Sequence, residues 1–242
     1  GPDWHSKFEL QGSLNASQAP LMHYNCQVAQ LQEQESQPGL LVTLSNGQKL
    51  NVDFLVSATG VLPQHSYACS VPLEMDLENA FKVNEMMQTS VPHIYAAGDV
   101  CVANWPPAEH WFQMRLWTQA RQMGSMAGRS MAAHCQQQVI YQDFCFELFG
   151  HCTQLFGHPV VLLGRFNAQD LPREECELLL RTTPGREYIK FVLHKGRLRG
   201  AILIGNTELA ETCENLILNG TDLSPFGDDI LNPDIDIEDY FD

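Results

Sequence analysis

The chain has 242 residues, 44% of them hydrophobic, enough for one or two domains with a sizeable core. Lys and Arg number 14 against 29 Asp and Glu, a formal net charge of −15, which excludes a nucleic-acid surface read by basic side chains. No apolar run approaches the ~18 residues needed to span a bilayer, and a partner is expected to offer positive charge or a metal.

The first residue is Gly1, no signal peptide opens the chain, and no glycine-rich nucleotide loop precedes the first strand, so the expectation is the C-terminal part of a longer protein. Residues 21–34 are expected to hold one strand. Leu40 to Leu44 alternates, Asn46-Gly47 is a hairpin turn, and Lys49 to Ser57 returns as a strand whose Phe54-Leu55-Val56 run predicts cover on both faces. That strand ends at Thr59-Gly60, with Pro63 just beyond. Residues 61–90 read as a long connection with little regular structure.

A short strand, Ile94 to Ala97, then stops on Gly98-Asp99. Either it ends at an ordinary turn, or the backbone must approach a ligand closely beside one carboxylate. Open α/β sheets bind ligands at such strand ends, and a following helix turns its N-terminus toward the same place. After the rigid Trp105-Pro106-Pro107 loop, a helix is predicted from Ala108 to about His134, with Met114, Trp117, Ala120, Met123, Ala127 and Met131 at spacings of three and four.

Beyond residue 140 the pattern changes to strands ("VVLLGRF", "ELLLRTT", "EYIKFVLHKGRLRGAILIG") with a hairpin at His194-Lys195-Gly196. "NTELAETCENLILNG" reads as an amphipathic helix with Thr207 as N-cap and Gly220 past its end. The expected organisation is residues 1–60, 61–140, an α+β domain over 141–227 and an acidic tail over 228–242. The tail pairs carboxylates with aromatics, so it is either a solvated end or a docking peptide in which Asp236, Glu238, Asp239, Tyr240, Phe241 and Asp242 meet a basic or metal-bearing partner.

Eight cysteines lie at 26, 69, 101, 135, 145, 152, 176 and 213 with no C-x-x-C, and are expected to be reduced, mostly buried thiols of a cytosolic or nuclear protein. Cys101 is a small core residue or a redox thiol. His134-Cys135 and His151-Cys152 invite a zinc reading, but adjacent residues diverge and no C-x-x-C supports it, so no metal site is expected.

"VDFLVSATGVLP", "TSVPHIYAAGDV" and "MRLWTQARQMG", in that order, resemble the pyridine nucleotide-disulphide oxidoreductase family, the two-dinucleotide-binding flavoproteins. Its T-x-x-x-x-I-Y-A-x-G-D motif is matched by Thr89, Ile94, Tyr95, Ala96, Gly98 and Asp99. The resemblance implies an α/β fold, the C-terminal portion of a two-Rossmann-like-domain flavoprotein followed by a small α+β domain. It implies that FAD and NAD(P)H are the cofactors and that a hydride passes from NAD(P)H to FAD, with no catalytic acid or base supplied here. Gly98, Asp99 and Val100 would bind FAD, Thr59-Gly60 would close the NAD(P)H domain, and Trp117 would lie on the flavin or pack on the Met-rich stripe. His110 and Trp111 either face the nicotinamide or pack. "GRLRGAILIGNTELAETCENLI" is similar to the closing domain of NADH-dependent reductases. The disulphide-reducing branch needs H-P-x-x-x-E, but His158-Pro159 is followed by Val160-Val161-Leu162-Leu163, so the base for dithiol chemistry is missing.

"GPDWH", "FELFGH", "REYIK" and "NPDIDIEDYFD" carry a likeness to an animal branch of this family over nearly the whole chain. That likeness implies protection of a tRNA ligase complex from oxidative inactivation, with cytoplasmic and nuclear location, a possible homo-oligomer, no membrane and no direct nucleic-acid contact. Two rival readings remain. One is a cofactor-gated binding protein that turns over little and docks through its tail. The other is a generic monodehydroascorbate- or ferredoxin-type reductase.

Overall fold

The computed structural model describes residues 21–34, 38–64 and 71–232. The tail residues Asp236, Glu238, Asp239, Tyr240, Phe241 and Asp242 lie outside them. The chain divides into two compact units between Val61 and Leu62.

The first unit is an antiparallel meander of β1 (Val28–Glu33), β2 (Leu40–Leu44) and β3 (Lys49–Val52). Leu44 and Gln48 close the Asn46-Gly47 hairpin, where Gly47 takes the φ of +84° that the turn demands. β3 stops at Val52, not at Ser57: Phe54, Leu55 and Val56 are 74%, 43% and 72% exposed and form no strand. A strand exists only where neighbours take its backbone groups, and the described residues offer none there.

The second unit begins with a parallel pair, β4 (Phe81–Val83) and β5 (Cys101–Ala103). Both depart from expectation. Residues 61–90 contain a strand, and Ile94–Ala97 contributes only the bridge of Tyr95 to Gln88. The strand instead follows Gly98-Asp99, which form a single 3-10 turn, Gly98–Val100. The reason is local: Asn84 Oδ1 accepts from the Met86 and Gln88 amides, folding residues 84–88 tightly so that Ala96 N–H donates to Met87 C=O.

Helix α1 (Trp117–Cys135) starts nine residues later than the periodicity suggests. Two glutamines account for this. Gln119, only 2% exposed, accepts from Met114 N–H and donates to Phe112 C=O; Gln113 accepts from Ala103 N–H and donates to Cys101 C=O. Backbone groups of 112–114 and of β5 thereby find side-chain partners outside any helix. α1 buries Met123, Met126 and Ala127 against Phe81, Val83, Cys101, Trp111 and Phe146.

Residues 150–204 form a five-stranded antiparallel sheet of β6 (Gly150–Leu155), β7 (His158–Gly164), β8 (Cys176–Thr183), β9 (Glu187–His194) and β10 (Arg197–Ile204), in the order β6-β7-β10-β9-β8. Alternate residues Val161, Leu163, Ile189, Phe191, Leu193, Leu198, Ala201 and Leu203 cover one face, and α2 (Ala210–Asn219) lays Cys213, Leu216 and Ile217 on it. α2 begins after Leu209 with no side-chain cap, two residues later than a Thr207 cap would place it, and ends at Gly220 in the left-handed conformation. Gly200 is obligatory in β10, since a Cβ there would fall on the backbone of Arg165 and Phe166.

Candidate functional site

The Gly98–Val100 turn packs against the first turn of α1. Gly98 holds φ at +78°, and a Cβ on it would lie 3.3 Å from the Ala120 Cβ, so glycine is required by conformation and by helix approach alike. Asp99 beside it is exposed, and its carboxylate makes no ion pair or hydrogen bond among the described residues. Val100 is half-buried on the α1 side of the core. α1 opens from an extended Leu116 with no side-chain cap and no acidic residue in its first turn. Its N-terminal dipole and first N–H groups are therefore available to a ligand's electron-rich atoms.

Trp117, the first residue of α1, is 93% exposed. Core packing on the methionine stripe is thus excluded for it, and the stripe's buried members are Met123 and Ala127. The uncapped start of α1 thus carries an exposed flat apolar ring. Thr59 and Gly60 lie exposed in the other unit, their Ser57 and Thr59 hydroxyls 3.4 Å apart. Of the remaining expected cofactor residues, Gly98, Asp99 and Val100 form one turn packed on α1, and Trp117 is the first residue of that helix.

His110 and Trp111 are packing residues. Trp111 is buried and stacks on Trp105 at 5.7 Å, and the His110 backbone pairs with Leu148 and Phe149. Burial pulls the His110 imidazole below its ordinary range, against a smaller upward pull from Glu109. Arg165 stands over the Phe112 ring at 5.0 Å, donates to Glu109 and Trp111 carbonyls and pairs with Asp170, tying the approach to α1 onto the sheet. The Cys101 thiol is pushed up to about 12, by burial first and by Asp99 second, and donates to Gly98 C=O. A thiol so protonated is a poor nucleophile, so Cys101 is a core residue.

The expectation of mostly buried cysteines does not hold: Cys101 and Cys213 are buried, but Cys135 and Cys152 are exposed. All the described cysteines are free, and the described residues contain no cluster of three metal-ligating side chains.

One residue of the site was not found in the sequence. His151, weighed there as a zinc ligand, lies on β6 with its Nδ1 3.0 Å from the Thr118 hydroxyl at the head of α1. The pair is separated by 33 positions, and no local pattern announces such a contact.

Two family models match the chain. Residues 21–124 match the pyridine nucleotide-disulphide oxidoreductase model, and residues 154–221 match the rubredoxin NAD+ reductase C-terminal domain. A Drosophila melanogaster protein called pyridine nucleotide-disulfide oxidoreductase domain-containing protein 1 is 60% identical over the whole chain, which covers 52% of it. The human protein of that name is 44% identical, again over the whole chain, and 53% of it is covered. The chain thus spans about half the length of the curated relatives it matches. Among solved structures, putidaredoxin reductase in covalent complex with putidaredoxin is similar with a TM-score of 0.64 at 18% identity, over 89% of this chain and 48% of that one. A pyridine nucleotide-disulfide family oxidoreductase from Enterococcus faecalis gives 0.62 at 23%, over 87% of this chain and 50% of that one. These likenesses establish the α/β fold of the C-terminal portion of such reductases.

Proposed function

The chain belongs to the pyridine nucleotide-disulphide oxidoreductase family, and from that premise we propose that it forms the second half of an FAD-dependent oxidoreductase that takes a hydride from NAD(P)H. FAD, once bound, supplies the two-electron chemistry. The chain's own residues bind and orient. In this reading residues 61–140 return to complete the FAD domain, 141–227 close it, and 1–60 end the NAD(P)H domain at Thr59-Gly60.

The observation that carries the reading is the Gly98-Asp99 turn seated on the uncapped start of α1. Asp99 would accept hydrogen bonds from ribityl hydroxyls, Gly98 and Val100 would let the chain pass close, and Trp117 would cover the ring. The residues present fit such a cofactor, because a free carboxylate acceptor, a positive helix end and an exposed indole are what its hydroxyls, its electron-rich edge and its flat face need. A disulphide-reducing activity is disfavoured by the missing acid partner of His158.

The physiological part of the proposal is that the full-length protein, in cytoplasm and nucleus, keeps a tRNA ligase complex from oxidation, with Asp236, Glu238, Asp239, Tyr240, Phe241 and Asp242 as the docking segment. Its support is the likeness of the whole chain to animal relatives. Deleting residues 228–242 and finding partner capture unchanged removes the docking role. A homo-oligomer is left to sedimentation.

The test is anaerobic titration of the flavin-loaded full-length protein with NADH and NADPH, followed by admission of air. Bleaching with recovery and repeated turnover supports the oxidoreductase. A persistent reduced complex without turnover moves the function to cofactor-gated binding. Asp99→Ala should lower flavin retention at least tenfold while leaving the fold intact.

A further inference from the structure

We propose that His151 is the ionisable positioning residue of the flavin site, held in place through Thr118, and that it takes up a proton when the site is reduced. The inference rests on the FAD reading above.

Thr118 is the second residue of α1 and therefore sits at the same uncapped end that the Gly98-Asp99 turn approaches. Ala120 backs Gly98, whereas the Thr118 hydroxyl meets the His151 Nδ1 at 3.0 Å. At 100° per residue, positions 118 and 120 are about 200° apart, so the turn and the histidine flank the helix start from opposite sides. Trp117, one residue before Thr118, is exposed. With Nδ1 engaged by the hydroxyl, Nε2 is the ring's other protonation position.

Reduction gives the group a use. The nicotinamide donor loses a hydride and leaves with one more positive charge, and the site keeps the hydride with one more negative charge. The α1 dipole offsets this charge by a fixed amount. His151 adds an adjustable amount: a proton from water binds its imidazole as the negative charge arrives and returns to water on reoxidation. No bond forms between His151 and the cofactor.

Titratable and charged groups lie on the elements around the Thr118–His151 contact. Asp99 is the carboxylate of the turn. Arg121 is three residues beyond Thr118 on α1. On β6 the next residue is Cys152, whose thiol is pushed up by partial desolvation first and by Glu214 of α2 second. On β7 the residue paired with His151 is the uncharged Leu162.

The test is the reduction potential of the flavin-loaded full-length protein as a function of pH, measured spectroelectrochemically. Between about pH 6 and 8, where imidazoles ordinarily titrate, the wild type should lose potential with pH about twice as steeply as His151→Gln, the difference being one proton per two electrons. His151→Lys, which carries a fixed charge, should share the shallow slope but lie at higher potential than His151→Gln. Thr118→Val keeps the imidazole and releases it, so the break in the slope should move from its wild-type pH. Equal slopes in wild type and His151→Gln overturn the proposal. If His151→Gln does not retain flavin, Thr118→Val decides: an unmoved break in its slope overturns the proposal as well. A wild-type protein that holds no flavin overturns the FAD reading instead, and absorbance before any reduction separates the two.

Discussion

Two apolar runs of similar composition meet opposite fates. Val160-Val161-Leu162-Leu163 lies in β7 between β6 and β10, with α2 over one face, and Val160, Val161 and Leu163 are buried. Phe54-Leu55-Val56 carries the same strand signal, yet it is exposed and irregular. The difference lies outside both runs. An apolar run specifies a preference for two covered faces, and paired neighbours decide whether that preference is met. The sheet of β6–β10 contains its own neighbours within some 55 residues. The partners of residues 54–56 are not among the described residues of a chain that spans about half of its relatives.

The strongest way to break the comparison is to remove a large side chain from the self-sufficient sheet. Phe191, fully buried in β9, packs with Leu203 and the α2 residues Leu216 and Ile217. Phe191→Ala should cost about 3–5 kcal/mol by loss of transfer energy and an unfilled cavity, read as a lower urea midpoint. A smaller loss, about 2 kcal/mol, is expected for Gln119→Leu, which leaves the Phe112 carbonyl and the Met114 amide without their partner. Because those bonds fix the loop leading into α1, that variant should also weaken flavin retention in the full-length protein, whereas Phe191→Ala should act on stability alone.

The sheet was legible in the sequence for the reason it is stable: strands, hairpin residues and helix are close in the chain and satisfy one another. The turn at Asn46-Gly47 and the His194-Lys195-Gly196 hairpin follow from local chemistry, with Lys195 and Gly196 both at positive φ. The site was legible as the Gly98-Asp99 motif. Its surroundings were not. The late start of α1 is set by Gln113 and Gln119, whose bonds reach back to β5 and to residues 112–114. The Thr118–His151 contact joins residues 33 apart, and β4 and β5 pair in parallel across 20 positions, beyond any local periodicity.

Lys190 sharpens the comparison from inside the sheet. It is 5% exposed on β9, donates to Asn167 Oδ1 at 2.7 Å, and burial lowers its pKa from 10.5 to about 8. The sign follows from linkage. Between these values the unfolded chain holds the proton and the folded chain does not, so stability rises with pH from about 8 to 10.5 and the cost of the buried amine is complete below that window. Lys190→Met should abolish that rise, measured as urea midpoints at pH 7.5, 9 and 10.5. An unchanged rise would assign it to another group.

The smallest expected effect carries the comparison furthest. In this chain Phe54→Ser removes an exposed ring from a segment without regular structure, so stability should change by no more than about 0.5 kcal/mol. In the full-length protein the same substitution should cost several times as much, because a strand covered on both faces would then lose a buried aromatic. Equal, small costs in both would mean that Phe54-Leu55-Val56 is not a sheet strand in either setting. Equal, large costs would mean that these side chains already pack within this chain, against their exposure of 74%, 43% and 72%. The difference between the two costs therefore measures how much of this strand's structure is supplied by chain beyond these 242 residues.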